Sequence, residues 1–345
     1  ARLAHQSDLV TGRLAGSPVA TDLSNALKTG AQLVDENWPW EVFDALGVPA
    51  HVLPDLVRSG TVIGTVCATA AAETGLPAGT PIVAGATDGC AAQLGAGVLR
   101  AGSWNSVLGT TLVLKGVSRE LVRDPSGAVY SHKAPNGDWL PGGASSTGAG
   151  AISRDFPGAD LDDLNRQAAR YEPATALAYP LVSTGERFPF VAPQAQGFLL
   201  GTPADDGDRF AAVLQGVAFV ERLCFDHLDL LGAPLDGDLV LTGGATRSAY
   251  WCRLRADVLG RPVILPENAE PALGMAVLAA SPGRDAADVA AGMVRVREVV
   301  EPSPGGAARF AEPYVRFVDE LERRGWLPPE TARHARDRAA EENAL

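Results

Sequence analysis

Asp88 stands where a short apolar run gives way to small residues, in "IVAGATDGCAAQLGAG". A lone carboxylate at such a junction can serve as a general base, or it can cap the helix that follows. Two more glycine turns lie downstream, Gly109-Thr110-Thr111 and Gly243-Gly244-Ala245-Thr246-Arg247-Ser248. Glycine lets a backbone turn tightly and approach a ligand, and free N–H groups at a turn or helix start favour an anion. Each turn taken alone has a structural reading: Gly-Thr-Thr is a common hairpin turn, and Gly-Gly a common strand-to-helix connection. The Arg-aromatic cluster "GERFPF" (185–190) reads as packing. The order of the pieces says more: a strand-end acid, a Gly-Thr-Thr hairpin some twenty residues on, then a Gly-Gly turn between strand and helix.

The elements around these residues follow from spacing and punctuation. Residues 1–45 read as helix, turn, helix, with Thr21 or Asp22 as N-cap for "LSNALKTG" and Gly30 closing it. Asp22 and Asn25 are expected to fix that turn. Pro81-Ile82-Val83-Ala84 is a short buried strand, and the Ala/Gly-rich piece after Asp88 suits a closely packed helix. From Trp104 the pattern becomes short strands with turns at Gly109, Asn136-Gly137 and Gly142-Gly143, as in a meander. "DRFAAVLQGVAFVERLCFDHLDLLG" (208–232) carries apolar residues at helical spacing and ends on Gly232. "DLVLTGG", "SAYWCRLRADVLG", "PVILP" and "PALGMAVLAAS" then give strand, helix, strand, helix, the mark of a layered α/β domain. "EPYVRFVDELERRGWL" and "PPETARHARDRAAEENAL" read as charged surface helices.

Composition narrows the function classes. The 345 residues allow two domains with sizeable cores. Twenty-nine basic against 41 acidic residues give a formal charge of −12, which argues against sequence-independent binding to nucleic acid but leaves room for a nucleotide site with local donors. Cys67, Cys90, Cys224 and Cys252 show neither CxxC nor metal-ligand spacing and read as free thiols in a reducing cytoplasm. No apolar run reaches the ~18 residues of a membrane span. His5, His51, His132, His227 and His334 form no visible catalytic set.

In their order, these stretches resemble the FGGY carbohydrate kinases. "IVAGATDGCAAQLGAGVLRAGSWNSVLGTT" is similar to that family's domain-junction signature, and "LVLTGGATRSAYWCRLRADVLGRPVILPENAEPALGMAVLAA" to its adenosine-site region. "HQSDLVTGRLAGSPVATDLSNALKTG" and "LPDLVRSGTVIGTV" resemble the later part of its first domain, so the likeness spans roughly residues 5–320. The resemblance implies an α/β, actin-like (ribonuclease H-like) fold. It implies residues 1–97 as the remainder of a first domain, 98–285 as a second, nucleotide-side domain, and 286–345 as a helical tail. It gives Asp88 the general-base role and contact with the sugar. It makes Gly109, Thr110 and Thr111 the phosphate-holding hairpin, lays Gly243, Gly244 and Ala245 against the nucleotide, and puts Ser248 and Trp251 beside the adenosine. ATP and Mg²⁺ are the implied cosubstrate and cation, a small sugar the other partner, and a homodimer a possible assembly. Thr242 departs from the family, which usually has another glycine there, and its β-carbon would crowd the nucleotide slightly.

"TDLSNALKTG" and "GERFPF" look closest to the pentulose-kinase branch, so D-ribulose or D-xylulose is the expected acceptor. Rival readings are another polyol kinase of the family (glycerol, gluconate, erythritol), a non-catalytic actin-like nucleotide-binding module, and a hydrolase on the same fold. The family's Asp-x-Gly-Thr phosphate turn does not occur in these 345 residues. Weak nucleotide binding and little transfer are therefore expected of the chain by itself.

Overall fold

The computed structural model describes residues 2–343. They gather into two compact units. One comprises the chain up to Arg100 together with Ser131–Leu140 and Asn268–Arg295; the other comprises Ala101–Tyr130, Pro141–Glu267 and the chain from Val296 onward.

The first unit is built from short pieces with strong local punctuation. The Gln6–Ala15 helix ends on Gly16 at φ 74. Asp22 caps Leu23–Ala26 by accepting the N–H groups of Ser24 and Asn25, and Gly30 at φ 106 closes the turn that follows. Two small sheets flank these helices: Thr21–Asp22 runs parallel to Leu56–Val57, and Val62–Thr65 antiparallel to Pro81–Val83. The Asp88–Gly95 helix lies against the Pro271–Ala279 helix with almost nothing between their backbones. A Cβ added at Gly95 would sit 2.6 Å from the Glu270 carbonyl oxygen, and one at Gly274 would collide with the carbonyl of Ala91. That contact is why the Ala/Gly-rich sequence after Asp88 is needed.

The second unit is a layered α/β assembly. Trp104–Leu108 pairs parallel with Leu239–Thr242 on one side and antiparallel with Leu112–Gly116 on the other. Leu239–Thr242 pairs in turn with Val263–Pro266, which pairs antiparallel with Val296–Val300. The sheet's core face meets the 25-residue helix Asp206–Leu230, buried over almost its whole length. Its start is fixed by Asp205, which accepts the Asp208 N–H, and its stop by Gly232 at φ 75. Several ionisable residues of this helix are buried, Glu221 among them. It takes two hydrogen bonds from Arg255, both at 2.7 Å, and one from Ser106 Oγ at 2.5 Å. Glu221 and Arg255 have no exposed side-chain surface.

Two expectations are corrected. The strands after Trp104 do not run as a sequential meander. Leu112–Gly116 pairs with Trp139–Ala144 (Leu114 opposite Gly143), passing over the intervening Tyr130–Lys133. The terminal helices are not solvated surfaces either. Gly306–Arg323 buries Phe310, Tyr314, Phe317 and Leu321, and Pro329–Asn343 buries Ala332, Ala335 and Ala339. Those positions recur at helical spacing, and Phe310, Tyr314 and Phe317 meet Phe219 with ring centroids 5.9–6.4 Å apart. A high charge count on the outer face concealed an apolar stripe. Tyr314 OH also hydrogen-bonds to Asp226 in the core. Among the described residues, no helix is long and apolar enough to cross a membrane.

Candidate active site

In the second unit two parallel strands end side by side, and each runs straight into a glycine turn. Trp104–Leu108 leads into Gly109-Thr110-Thr111, where Gly109 N–H donates to Thr111 O at 3.1 Å. Leu239–Thr242, with Thr242 opposite Val107, leads into Gly243. Gly243 has φ 89, and a Cβ there would come 2.6 Å from the Leu108 carbonyl oxygen, so the second turn crosses directly over the end of the first strand. The chain continues as a short 3₁₀ turn, Gly244–Arg247. Ser248 then caps the Ala249–Leu259 helix by accepting Trp251 N–H at 3.1 Å.

A third segment, 145–150, straps the hairpin. Ser145 N–H donates to Leu112 O at 2.9 Å and Leu112 N–H to Thr147 O at 2.7 Å. Ala149 and Gly150 N–H donate to the Gly109 and Thr110 carbonyls at 2.9 and 3.1 Å. Gly148 passes so close that an added Cβ would be 2.5 Å from Thr110 O.

What these turns leave unused is as informative as what they bond. Among the described residues, the amides of Thr110, Thr111, Gly244 and Ala245 and the hydroxyls of Thr110 and Thr111 have no partner within the protein. A Cβ added at Gly109 or Gly244 meets no protein atom within 4 Å. Neither glycine is required by the protein's own packing, and both face open space.

Beside the turns lies a cavity of about 270 Å³, near the lower end for small-molecule sites. Gly244, Ala245, Ser248 and Trp251 line it, but Gly243 does not. Trp251 is nearly buried, its Nε1 donating to Leu214 O at 3.2 Å, so only part of the indole is presented. The opposite walls come from residues the sequence reading missed. Ala149 belongs to the hairpin strap and Ile152 and Ser153 follow it, Asp162 and Asn165 lie on the Leu161–Ala168 helix, and Phe210 lies on the long central helix. The small-residue run "SSTGAGA" (145–151) was the available signal. Thr242 does not crowd this cavity: its Oγ1 turns inward and donates to Asn105 Oδ1 at 2.9 Å.

Asp88 belongs to the first unit. It is the first residue of its helix, preceded by Thr87 in the cap position, and its carboxylate is exposed. Asp88 Oδ1 accepts Gly89 N–H at 2.7 Å. The backbone just before it is held from elsewhere: Thr87 N–H donates to Ser24 Oγ at 2.8 Å, and Ser24 Oγ donates to Asp22 Oδ1 at 2.5 Å. Asp22 also takes Asn25 Nδ2 at 2.6 Å. Asp22 and Asn25 therefore fix a turn, and that turn braces the loop carrying Asp88.

His5 and His334 are held in structural contacts. His5 bridges Thr21 and Thr29, each at 2.8 Å, and His334 meets Asp229 at 2.9 Å. All four cysteines are free thiols, and burial pushes those of Cys224 and Cys252 up. Among the described residues, no three His, Cys, Asp or Glu converge as a metal site.

These features coincide with what the chain is similar to. The N-terminal domain of the FGGY family of carbohydrate kinases matches residues 3–95, and the C-terminal domain of that family matches residues 104–282. The chain is 34% identical over 301 residues to the xylulose kinase of Streptomyces coelicolor, covering 84% of this chain and 59% of that one. It is 30% identical over 299 residues to the autoinducer-2 kinase of an Enterobacter species, covering 79% and 55% respectively. The crystal structure of xylulose kinase from Rhodospirillum rubrum superimposes with a TM-score of 0.82 at 27% identity, over 94% of this chain and 68% of that one. The chain thus spans between half and two thirds of the length of these curated relatives. Its architecture is that of the actin-like, ribonuclease H-like sugar kinases. The chain belongs to the FGGY family of carbohydrate kinases.

Proposed function

We propose that this chain binds ATP through the turns and cavity of its second unit and serves the phosphorylation of a small sugar, a ketopentose such as D-xylulose or D-ribulose. The observation that carries the nucleotide half is the set of unpartnered amides at Thr110, Thr111, Gly244 and Ala245, beside glycines whose faces are open. Such amides suit phosphate oxygens, and the apolar walls of the adjoining cavity suit a nucleoside. The xylulose kinase relatives support the ketopentose.

On this reading the γ-phosphoryl group is aligned by the Thr110 and Thr111 donors, since phosphoryl transfer depends on alignment and charge stabilisation. The sugar oxygen forms a bond to the γ-phosphorus as the bond to the bridging oxygen breaks and ADP leaves. The hydroxyl proton passes to the Asp88 carboxylate, whose second oxygen accepts no hydrogen bond from the described residues. Mg²⁺, when bound with ATP, would supply charge neutralisation to the triphosphate; among the described residues no three His, Cys, Asp or Glu converge to hold it.

Calorimetric titration with ATP tests the nucleotide half, and sugar-stimulated ADP release with D-xylulose, D-ribulose and glycerol tests the acceptor. Weak but saturable ATP binding and slow ketopentose-dependent release, absent in Asp88→Asn, are expected of this chain. Absence of ATP binding would overturn the reading. Release that survives Asp88→Asn would remove Asp88 as base.

A further inference from the structure

We propose that Glu186 is the positioning residue of the nucleotide site, setting the phosphate-holding hairpin through the strap at 145–150; this rests on the nucleotide reading above. Glu186 is 2% exposed. Its Oε2 accepts Ser145 Oγ at 2.8 Å, Tyr179 OH at 2.9 Å and Thr147 Oγ1 at 3.3 Å. Its Oε1 accepts Ser146 N–H at 2.6 Å and Arg187 N–H at 2.9 Å. Every one of these donors is neutral. Burying a carboxylate without a cation is costly, and it is tolerated where several hydrogen bonds compensate. Here three of the five come from three consecutive residues, 145, 146 and 147. Tyr179 remains a phenol donor, since burial and then the neighbouring Glu186 raise its pKa.

The same three residues begin the strap. Ser145 and Thr147 bond Leu112, and Ala149 and Gly150 bond the carbonyls of Gly109 and Thr110. With those carbonyls engaged by the strap, the Thr110 and Thr111 amides are the groups left over. Among the described residues Glu186 makes no hydrogen bond to the cavity lining or to the hairpin, so its influence on a ligand runs through residues 145–150. The "GERFPF" cluster thus has a role that packing alone does not describe.

The test compares ATP with adenosine, because the hairpin should touch phosphate and not the nucleoside. Glu186→Gln places an amide donor among five donors while keeping the shape. ATP affinity should fall about tenfold or more and adenosine affinity much less, with a single cooperative melt retained. Equal losses for both ligands, or ATP affinity within about twofold of the unaltered chain, would overturn the positioning role. If Glu186→Gln does not fold, Ser145→Ala removes one donor and should shift the ATP-to-adenosine ratio in the same direction; an unchanged ratio there overturns it. An unaltered chain that binds neither ligand overturns the nucleotide reading itself, and this inference with it.

Discussion

Ser24 and Thr87 are 63 residues apart and are joined by one hydrogen bond, Thr87 N–H to Ser24 Oγ at 2.8 Å. Because Ser24 Oγ also donates to the buried Asp22, the loop leading to Asp88 hangs on the same carboxylate that caps the Leu23–Ala26 turn. Ser24→Ala leaves the Thr87 amide without its partner, at a stability cost of about 1–3 kcal/mol. Sugar-dependent turnover should drop at kcat, while the ATP dissociation constant stays as it was. Steady-state kinetics beside calorimetry check this, and a parallel loss of ATP affinity would show that the bond matters only for folding.

Two adjacent glycines should behave in opposite ways. Gly243 has φ 89 and its added Cβ would strike the Leu108 backbone, so Gly243→Ala should destabilise by about 1–3 kcal/mol. An added Cβ at Gly244 meets nothing, so Gly244→Ala should leave the melting temperature unchanged or slightly raised. It should nevertheless weaken ATP, because its methyl group enters the space assigned to the nucleotide. Thermal melts with and without ATP separate the two.

Arg255 is pinned by Glu221 and donates to Ser106 Oγ at 2.8 Å, with no exposed side-chain surface. Arg255→Met strands a buried carboxylate and should cost about 3–5 kcal/mol in denaturant unfolding. Pairing it with Glu221→Leu should recover much of that loss, since an apolar pair no longer needs partners.

The second unit should lose stability in mild acid through His227. Its ring is buried against Phe188, its Nε2 lies 3.4 Å from Asp124 Oδ2, and its Nδ1 has no partner. Burial lowers its pKa, with Asp124 opposing less strongly. The folded state therefore binds a proton less readily than the unfolded chain. Stability is full above the ordinary histidine value and falls as pH drops through it, by at most about 1.4 kcal/mol per pH unit. Asp124 titrates lower: burial raises its pKa, but hydrogen bonds from Ser126 and Val129 bring it below the ordinary value. Melts between about pH 7.5 and 5.5 should slope downward, and His227→Gln should flatten that slope.

Local chemistry carried much of the fold in the sequence. Asp22, Ser248, Gly30 and Gly232 punctuate their helices as residue type predicts, and the turn glycines at 109 and 243 sit at strand ends. What was not legible depends on partners distant in the chain. Nothing near Leu112 says that Gly143 will lie across from Leu114, or that Ser145–Thr147 will hang on Glu186. The cavity walls at Ile152, Asn165 and Phe210 were missed for the same reason, since each belongs to an element of unremarkable composition. Charge in the terminal helices drew attention from the Phe310–Leu321 stripe, whose spacing was nonetheless visible.

The bare backbone contact between the Asp88–Gly95 and Pro271–Ala279 helices has a mechanical consequence. Helices separated by long side chains can slide as those side chains change rotamer, but at Ala91 and Gly274 there are no such bearings. The two must travel as a single rigid lever. A bulky residue at position 274 would therefore disturb the acid at the far end of its partner without ever touching it.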